Sequence, residues 1–166
     1  MLAVVLIREA TDDDWPAIWP FLHDIVAAGE TYTLPRDLSQ DRAREIWMLA
    51  PPDRTVVAVD PDGTVLGTAK MNRNHQGPGA HIASASFMVD PAHGGKGVGR
   101  ALGEYVVDGA REAGYRALQF NAVVETNTRA VALWKSLGFD VIGTLPEGFQ
   151  LPTKEYVGLH IMHLRL

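Results

Sequence analysis

At 166 residues, the chain is long enough for about one domain of ~150 residues and for burying ~70% of its unfolded surface. Its 46% hydrophobic and 21% charged residues fit a globular protein rather than a disordered one, and the lack of any cysteine excludes disulfides, thiolate metal sites, iron–sulfur clusters and a cysteine nucleophile. With 15 Lys and Arg against 20 Asp and Glu, the net charge of −5 argues against a polyanion binder that would draw its affinity from phosphate neutralisation.

Leu2 to Ile7 is an aliphatic run ended by Arg8 and Glu9, and it reads as a buried strand. It is far short of the ~20 residues of a membrane span and has no basic flank, so it is not expected to be an anchor or a signal peptide. The expectation is a cytoplasmic protein with no membrane or nucleic-acid partner. Thr11 reads as an N-cap, with Asp12, Asp13 and Asp14 in the first turn where negative charge suits the helix dipole. Trp15, Ile18, Trp19, Leu22, Ile25 and Val26 then recur at helical spacing up to Gly29. A loop with Glu30, Thr31, Tyr32 and Pro35 leads to a second helix, Ser39 to Leu49.

Thr55 to Val59 and Val65 to Met71 read as strands joined by the turn signal Pro61-Asp62-Gly63. After a polar loop, Asn72 to Gly79, another strand runs from about His81 to Val89. The glycine-rich string Gly94 to Arg100 follows and runs directly into a helix whose apolar face is Leu102, Tyr105, Val106, Gly109 and Ala113, with Gly114 as C-cap. Leu118 to Val124 is a strand. Thr126 or Asn127 caps a short helix carrying Ala130, Leu133, Trp134 and Leu137, closed by Gly138. Val141 to Leu145 and Tyr156 to Leu164 form a closing antiparallel pair across a long proline-bearing connection. There is no repeat and no linker, so residues 1–166 read as one α+β domain.

The glycine string carries the chemistry. Residues without Cβ let a ligand approach the backbone, and the first N–H groups of the following helix lack intrahelical partners at the positive end of its dipole, so an anion such as a pyrophosphate fits. Lys96 and Arg100 add charge at the rim. A Walker loop would need Gly where Asp90 stands and Ser or Thr where Gly97 stands; a dinucleotide fingerprint would need Gly at Arg100 or Leu102. Both fail on spacing. A tight turn without a ligand is the bland alternative, and four glycines in six residues exceed what a turn requires.

Phe87-Met88-Val89-Asp90-Pro91 through GGKGVGRALG resembles the acetyl-coenzyme A loop of the GNAT superfamily of N-acetyltransferases. Val124-Glu125-Thr126-Asn127 with Ala130, Leu133, Trp134 and Leu137-Gly138-Phe139 is similar to that family's second half, and Ile7-Arg8-Glu9-Ala10-Thr11 to its start. The resemblance implies a mixed, mostly antiparallel central sheet flanked by helices, the acyl-CoA N-acyltransferase fold, with acetyl-CoA as co-substrate and no metal. It implies that the N–H groups of Gly95, Lys96, Gly97, Val98, Gly99 and Arg100 hold the pyrophosphate, with Gly94 also against the cofactor but lacking the side chain usual there. Met88 and Val89 would pair with the pantetheine arm like an added strand, and Asn127 and Trp134 would border the cofactor. Relatives are often dimers, so the resemblance also allows a homodimer.

Two departures bear on mechanism. Trp134 stands where a tyrosine that can protonate the departing thiolate is frequent, and an indole N–H is donor-only; a thiol near ~8.5 is a tolerable leaving group near neutrality without that acid. Ser84 falls where relatives of the phosphinothricin type often have a glutamate base. Glu125, His81, His75, Glu30 and ordered water then remain as bases, with a solvated acid or a satisfied imidazole as the structural alternatives. His160 and His163, three apart on a strand, face opposite sides and form no metal pair.

Ser84-Ala85-Ser86-Phe87-Met88-Val89 with Phe120-Asn121 through Asn127 is similar to the yeast-type acetyltransferases that act on proline analogues such as azetidine-2-carboxylate. On that resemblance Asn121 is the leading catalytic candidate, with Ser84 beside it and the backbone near Met88 as oxyanion donor. Glu30, Tyr32, Phe87 and Asn121 are the expected substrate-binding residues, and the connection Glu147 to Glu155 the expected wall of the acceptor site. The reaction implied is direct transfer of acetyl to the amine of a small molecule, an amino acid or an analogue. A protein or peptide N-acetyltransferase and a non-catalytic acetyl-CoA-binding module are the alternatives.

Overall fold

The computed structural model describes residues 4–166. Seven strands form one sheet in the order β1-β2-β3-β4-β5-β7-β6. They are β1 (Leu6–Glu9), β2 (Arg54–Val59), β3 (Val65–Arg73), β4 (Ile82–Val89), β5 (Ala117–Val124), β6 (Asp140–Gln150) and β7 (Tyr156–Arg165). Every neighbouring pair is antiparallel except β4 and β5. Four helices flank it: α1 (Trp15–Ala28), α2 (Gln40–Trp47), α3 (Val98–Glu112) and α4 (Thr128–Ser136).

Alternation along the strands sorts the core into two layers. Val57, Val59, Val65 and Met88 pack under α1 and α2 with Trp15, Ile18, Leu22 and Trp47. Val56, Ala58, Ala69, Met71, Ala83 and Phe120 pack under α3 and α4 with Leu102, Val106 and Trp134. Trp47 ties the first layer to the sheet: its indole N–H donates to Thr68 Oγ1 at 2.9 Å, and that hydroxyl donates on to Val56 O at 2.8 Å. Every polar atom of this buried chain is thus satisfied.

Several expectations shift. The first strand starts at Leu6 and is an exposed edge; Leu2 and Ala3 lie outside the described residues, and Val4 is 80% exposed. Thr11 caps a 3-10 turn, Asp12–Asp14, rather than the helix itself, and Asp14 closes a bidentate pair with Arg8 at 2.7 and 2.8 Å. Strand β6 continues through Pro146 to Gln150, because an edge strand with a register shift between Leu145 and Phe149 tolerates a proline. The long connection expected at residues 147–155 therefore shrinks to five residues between β6 and β7.

Candidate active site

The site arises where the sheet fails to close. β4 and β5 are paired only at Ile82–Ala117 and Ala83–Leu118, and beyond these residues they part. An aromatic wedge fills the base of the gap: Phe87 lies 4.6 Å from Trp134 and 5.7 Å from Phe120, ring centre to ring centre, and Phe120 lies 4.9 Å from Trp134. Gly103 of α3 lets α4 come this close, since a Cβ there would stand 3.0 Å from the Trp134 ring. On β5, a bulge between Phe120 and Val123 sets Asn121 and Ala122 against one residue of β7 and bends the strand away. The result is a cleft of about 900 Å³ bordered by both strands, the glycine loop, α4 and the α1–α2 loop.

Backbone direction decides which peptides of β4 reach this cleft. Asp90 N donates to Leu66 O and Asn74 N to Ile82 O, which fixes the even-numbered residues of β4 as those bonded to β3. Ala85, Phe87 and Val89 therefore turn their N–H and C=O groups the other way, toward the gap. Met88, expected as the oxyanion donor and a pantetheine partner, borders the cleft but spends its peptide groups on Thr68. Its side chain is buried in the α1–α2 layer. Val89, two residues nearer the glycine loop than Phe87, keeps the orientation expected of it.

The Phe87 peptide already has a partner. Tyr32, half-buried in the α1–α2 loop, donates its hydroxyl to Phe87 O and accepts from Phe87 N at 3.2 Å. Its ring sits edge-on to Trp47 at 6.5 Å. Burial holds this phenol well above its usual range, so it stays protonated.

At one end of the cleft, Gly95 and Gly97 adopt φ of +78° and +80°, a region open to glycine. They deliver the chain to the start of α3, where Gly97 is the N-cap and its carbonyl accepts from Ala101 N. The N–H groups of Val98, Gly99 and Arg100 are thus left without intrahelical partners. Gly94, Gly95, Gly97, Val98, Gly99 and Arg100 line the cleft. Lys96 points outward, its Nζ 3.3 Å from His93 Nδ1, and does not line it. Arg129 of α4 lines the cleft and escaped the sequence reading, because nothing local distinguishes it from a solvated helix arginine.

Asn127 also lines the cleft, yet its Oδ1 caps α4 by accepting from Ala130 N at 3.4 Å, leaving only its amide NH2 for a ligand. A phosphate-bearing ligand fits this end by its chemistry: three orphan N–H groups, the positive end of a fifteen-residue helix, and Arg129 in the lining, while the Arg100 guanidinium donates to Ser136 Oγ at 2.8 Å.

The opposite end faces the α1–α2 side of the sheet. Ser84, Ser86 and Asn121 border it with Thr31, Tyr32 and Thr33. Asn121 belongs to a chain of three amides: Gln119 Nε2 donates to Asn121 Oδ1 at 3.0 Å, and Asn121 Nδ2 donates to Asn74 Oδ1 at 2.7 Å. Asn74 and Gln119 were missed. A contact across 47 positions leaves no local pattern.

Glu30 is exposed and outside the cleft, with its three successors lining it instead. Residues 147–155 contribute nothing to the cleft, since β6 lies at the far edge of the sheet. Glu125 does not line the cleft, and its Oε1 accepts from Gly158 N at 2.7 Å. His75 and His81 do not line the cleft. Among the described residues, no group of three or more His, Cys, Asp or Glu is placed to hold a metal ion.

A sheet splayed at its one parallel pair, with a glycine loop and helix N-terminus at the mouth of the gap, defines an acyltransferase that draws on a coenzyme A thioester. A sequence model of the acetyltransferase (GNAT) family matches residues 9–139. The chain is 59% identical to a GCN5-related N-acetyltransferase from Kribbella flavida, with a TM-score of 0.95 over 98% of each chain. It is 26% identical to the acetyltransferase yncA of Salmonella typhimurium, solved with its cofactor acetyl-CoA, at a TM-score of 0.83 over 99% of this chain and 95% of that one.

Among characterised relatives, it is 26% identical to the N-acetyltransferase aca1 of Schizosaccharomyces pombe, covering 85% of this chain and 75% of that protein. It is 29% identical to the L-methionine sulfoximine/L-methionine sulfone acetyltransferase of Pseudomonas paraeruginosa, covering 85% and 83%. The chain belongs to the acetyltransferase (GNAT) family and is an acetyl-CoA-dependent N-acetyltransferase.

Proposed function

We propose that residues 1–166 act as one N-acetyltransferase domain whose acceptor is the amine of a small molecule, an amino acid or an amino-acid analogue. The observation that carries this reading is the division of the cleft. Its glycine-loop end is built for phosphates, and its other end is small, neutral and amide-lined, with Ser84, Ser86 and Asn121 around the gap. The relative that acts on methionine sulfoximine and sulfone supports the acceptor class.

Acetyl-CoA supplies the thioester from which the acetyl group is transferred. Gly95, Gly97 and the N–H groups of Val98, Gly99 and Arg100 hold its pyrophosphate, with Arg129 and Asn127 at the rim. Val89 and Phe87 present the backbone donors for negative charge that develops on an oxygen set against β4. Trp134, Phe87 and Phe120 exclude water from the base of the gap. Asn121, fixed by Gln119 and Asn74, keeps one N–H and one lone pair to orient the acceptor, and Ser84 adds a hydroxyl beside it. Most of the rate then comes from holding amine and thioester together.

Thiol release from acetyl-CoA, read with a thiol-reactive chromophore, tests this across azetidine-2-carboxylate, 4-hydroxyproline, methionine sulfone, phosphinothricin, polyamines and peptide N-termini. A protein with no cysteine gives no thiol background of its own. Turnover concentrated on one small amino acid is expected. Preference for peptides would move the function to protein modification, and acetyl-CoA binding with no turnover on any amine would refute the small-amine assignment.

A further inference from the structure

The Tyr32 hydroxyl takes no part in phosphate or acceptor binding while it both donates to Phe87 O and accepts from Phe87 N. Of the three peptides that β4 turns toward the gap, Phe87 is the middle one. A ligand that lies along β4 as an added strand engages successive outward peptides, spaced ~6.8 Å apart at two residues each. From the glycine loop inward it meets Val89 first and Phe87 next. The Phe87 position cannot be skipped without leaving the strand edge.

We infer that Tyr32 is a latch on the edge of β4, whose hydroxyl the pantetheine–thioester arm of acetyl-CoA displaces from the Phe87 peptide as it binds. The carbonyl and amide N–H groups of that arm offer an acceptor to Phe87 N and a donor to Phe87 O, so both hydrogen bonds of the latch are exchanged. Burial keeps the hydroxyl protonated, so it remains a hydrogen-bond donor to Phe87 O until it is displaced.

The latch also joins the two halves of the cleft. Tyr32 sits between Thr31 and Thr33, which border the acceptor end. Its ring rests on Trp47, which is anchored through Thr68 to β2. Release of the hydroxyl leaves the α1–α2 loop held at this point by the contact of the Tyr32 ring with Trp47.

This inference rests on the assignment of acetyl-CoA to the cleft, and the experiment separates the two. Calorimetric titration compares the wild type and Tyr32→Phe with two probes, acetyl-CoA and adenosine 3′,5′-bisphosphate. The phenylalanine keeps the ring against Trp47 and removes only the hydroxyl. With two neutral hydrogen bonds no longer to be displaced, the variant is expected to bind acetyl-CoA about tenfold more tightly. Affinity for the bisphosphate, which has no pantetheine arm, is expected to match the wild type; an equal gain there would show general loosening and overturn the latch. Equal or weaker binding of acetyl-CoA by the variant, beside a wild type that binds it normally, would also overturn the latch and leave the cofactor assignment standing. A wild type that bound no acetyl-CoA would overturn both.

Discussion

Gly95 offers a clean test of the phosphate cradle because its two roles can be separated. Its φ of +78° disfavours any L side chain, and a Cβ there would meet nothing within 4 Å. Gly63, in the turn between β2 and β3, has φ of +84° and equally open surroundings, but it is remote from the cleft. Gly95→Ala and Gly63→Ala should therefore each lose about 1–2 kcal/mol of stability to the left-handed backbone alone. For a chain of this size that is a fall of roughly 2–8 °C in Tm.

Only Gly95→Ala places a methyl group where a phosphate would approach the loop. Disturbing one charge-assisted hydrogen bond, at about 1.5–3 kcal/mol, should weaken acetyl-CoA binding by roughly 10- to 150-fold. Differential scanning calorimetry supplies the stability comparison and isothermal titration the affinity. If the two variants melted alike and also bound acetyl-CoA alike, the loop would be a structural turn, and the assignment of its peptides to the pyrophosphate would be wrong.

Asp14 makes a prediction about pH. Its hydrogen bonds to the Arg8 guanidinium hold its carboxyl below the ordinary carboxylate range, so the folded state favours the ionised form. The stabilisation is then complete above the unfolded value near ~3.9 and is lost as pH falls through the lower folded value. Tm of the wild type should exceed that of Asp14→Asn by a constant margin from neutrality down to about pH 5, and the margin should close in more acidic buffer; a margin independent of pH would show that the pair is not responsible. Asn121→Ala removes an exposed side chain, so Tm should hold within about 1–2 °C. The KM of the best acceptor should rise about tenfold with the KM for acetyl-CoA unchanged, and an unchanged acceptor KM would place the acceptor elsewhere.

What the sequence discloses of this site is what lies close together along the chain. Gly94 to Arg100 can be read because the turn, the positive φ values and the start of α3 all fall within seven residues. Asn127 is legible as a helix cap for the same reason. The gap between β4 and β5 is not, because both strands have ordinary strand patterns and the break lies in how far they pair. It depends on Phe87, Phe120 and Trp134 meeting from three different elements. The same distance hides Asn74 and Gln119, and it hides the pairing of Tyr32 with the Phe87 peptide, 55 residues away. The resemblance places Met88 and Val89 alike against the cofactor, and only the ladder to β3 shows that the Met88 peptide points the other way. Pro146 misled in a different sense: it marks the edge of the sheet, where a strand can continue without its N–H.

The described residues bordering the cleft include no His, Lys or Glu; its ionisable members are Tyr32, Asp90, Arg100 and Arg129. Tyr32 is held protonated, and Asp90 spends Oδ1 on Ala92 N at 2.9 Å, ahead of the glycine loop. With Ser84 and Trp134 in place of a base and an acid, the lining offers no histidine, lysine or glutamate to take the proton of the acceptor amine. The prediction is that this proton leaves through water and that the reactive species is amine already neutral on arrival. The rising limb of kcat/KM against pH should then follow the pKa of whichever acceptor is used. Two acceptors whose amines differ by one pH unit should give profiles displaced by about one unit at equal enzyme concentration. A limb fixed at one pH for both would reveal a base belonging to the protein, and the cleft would have to recruit it from outside the residues that line it.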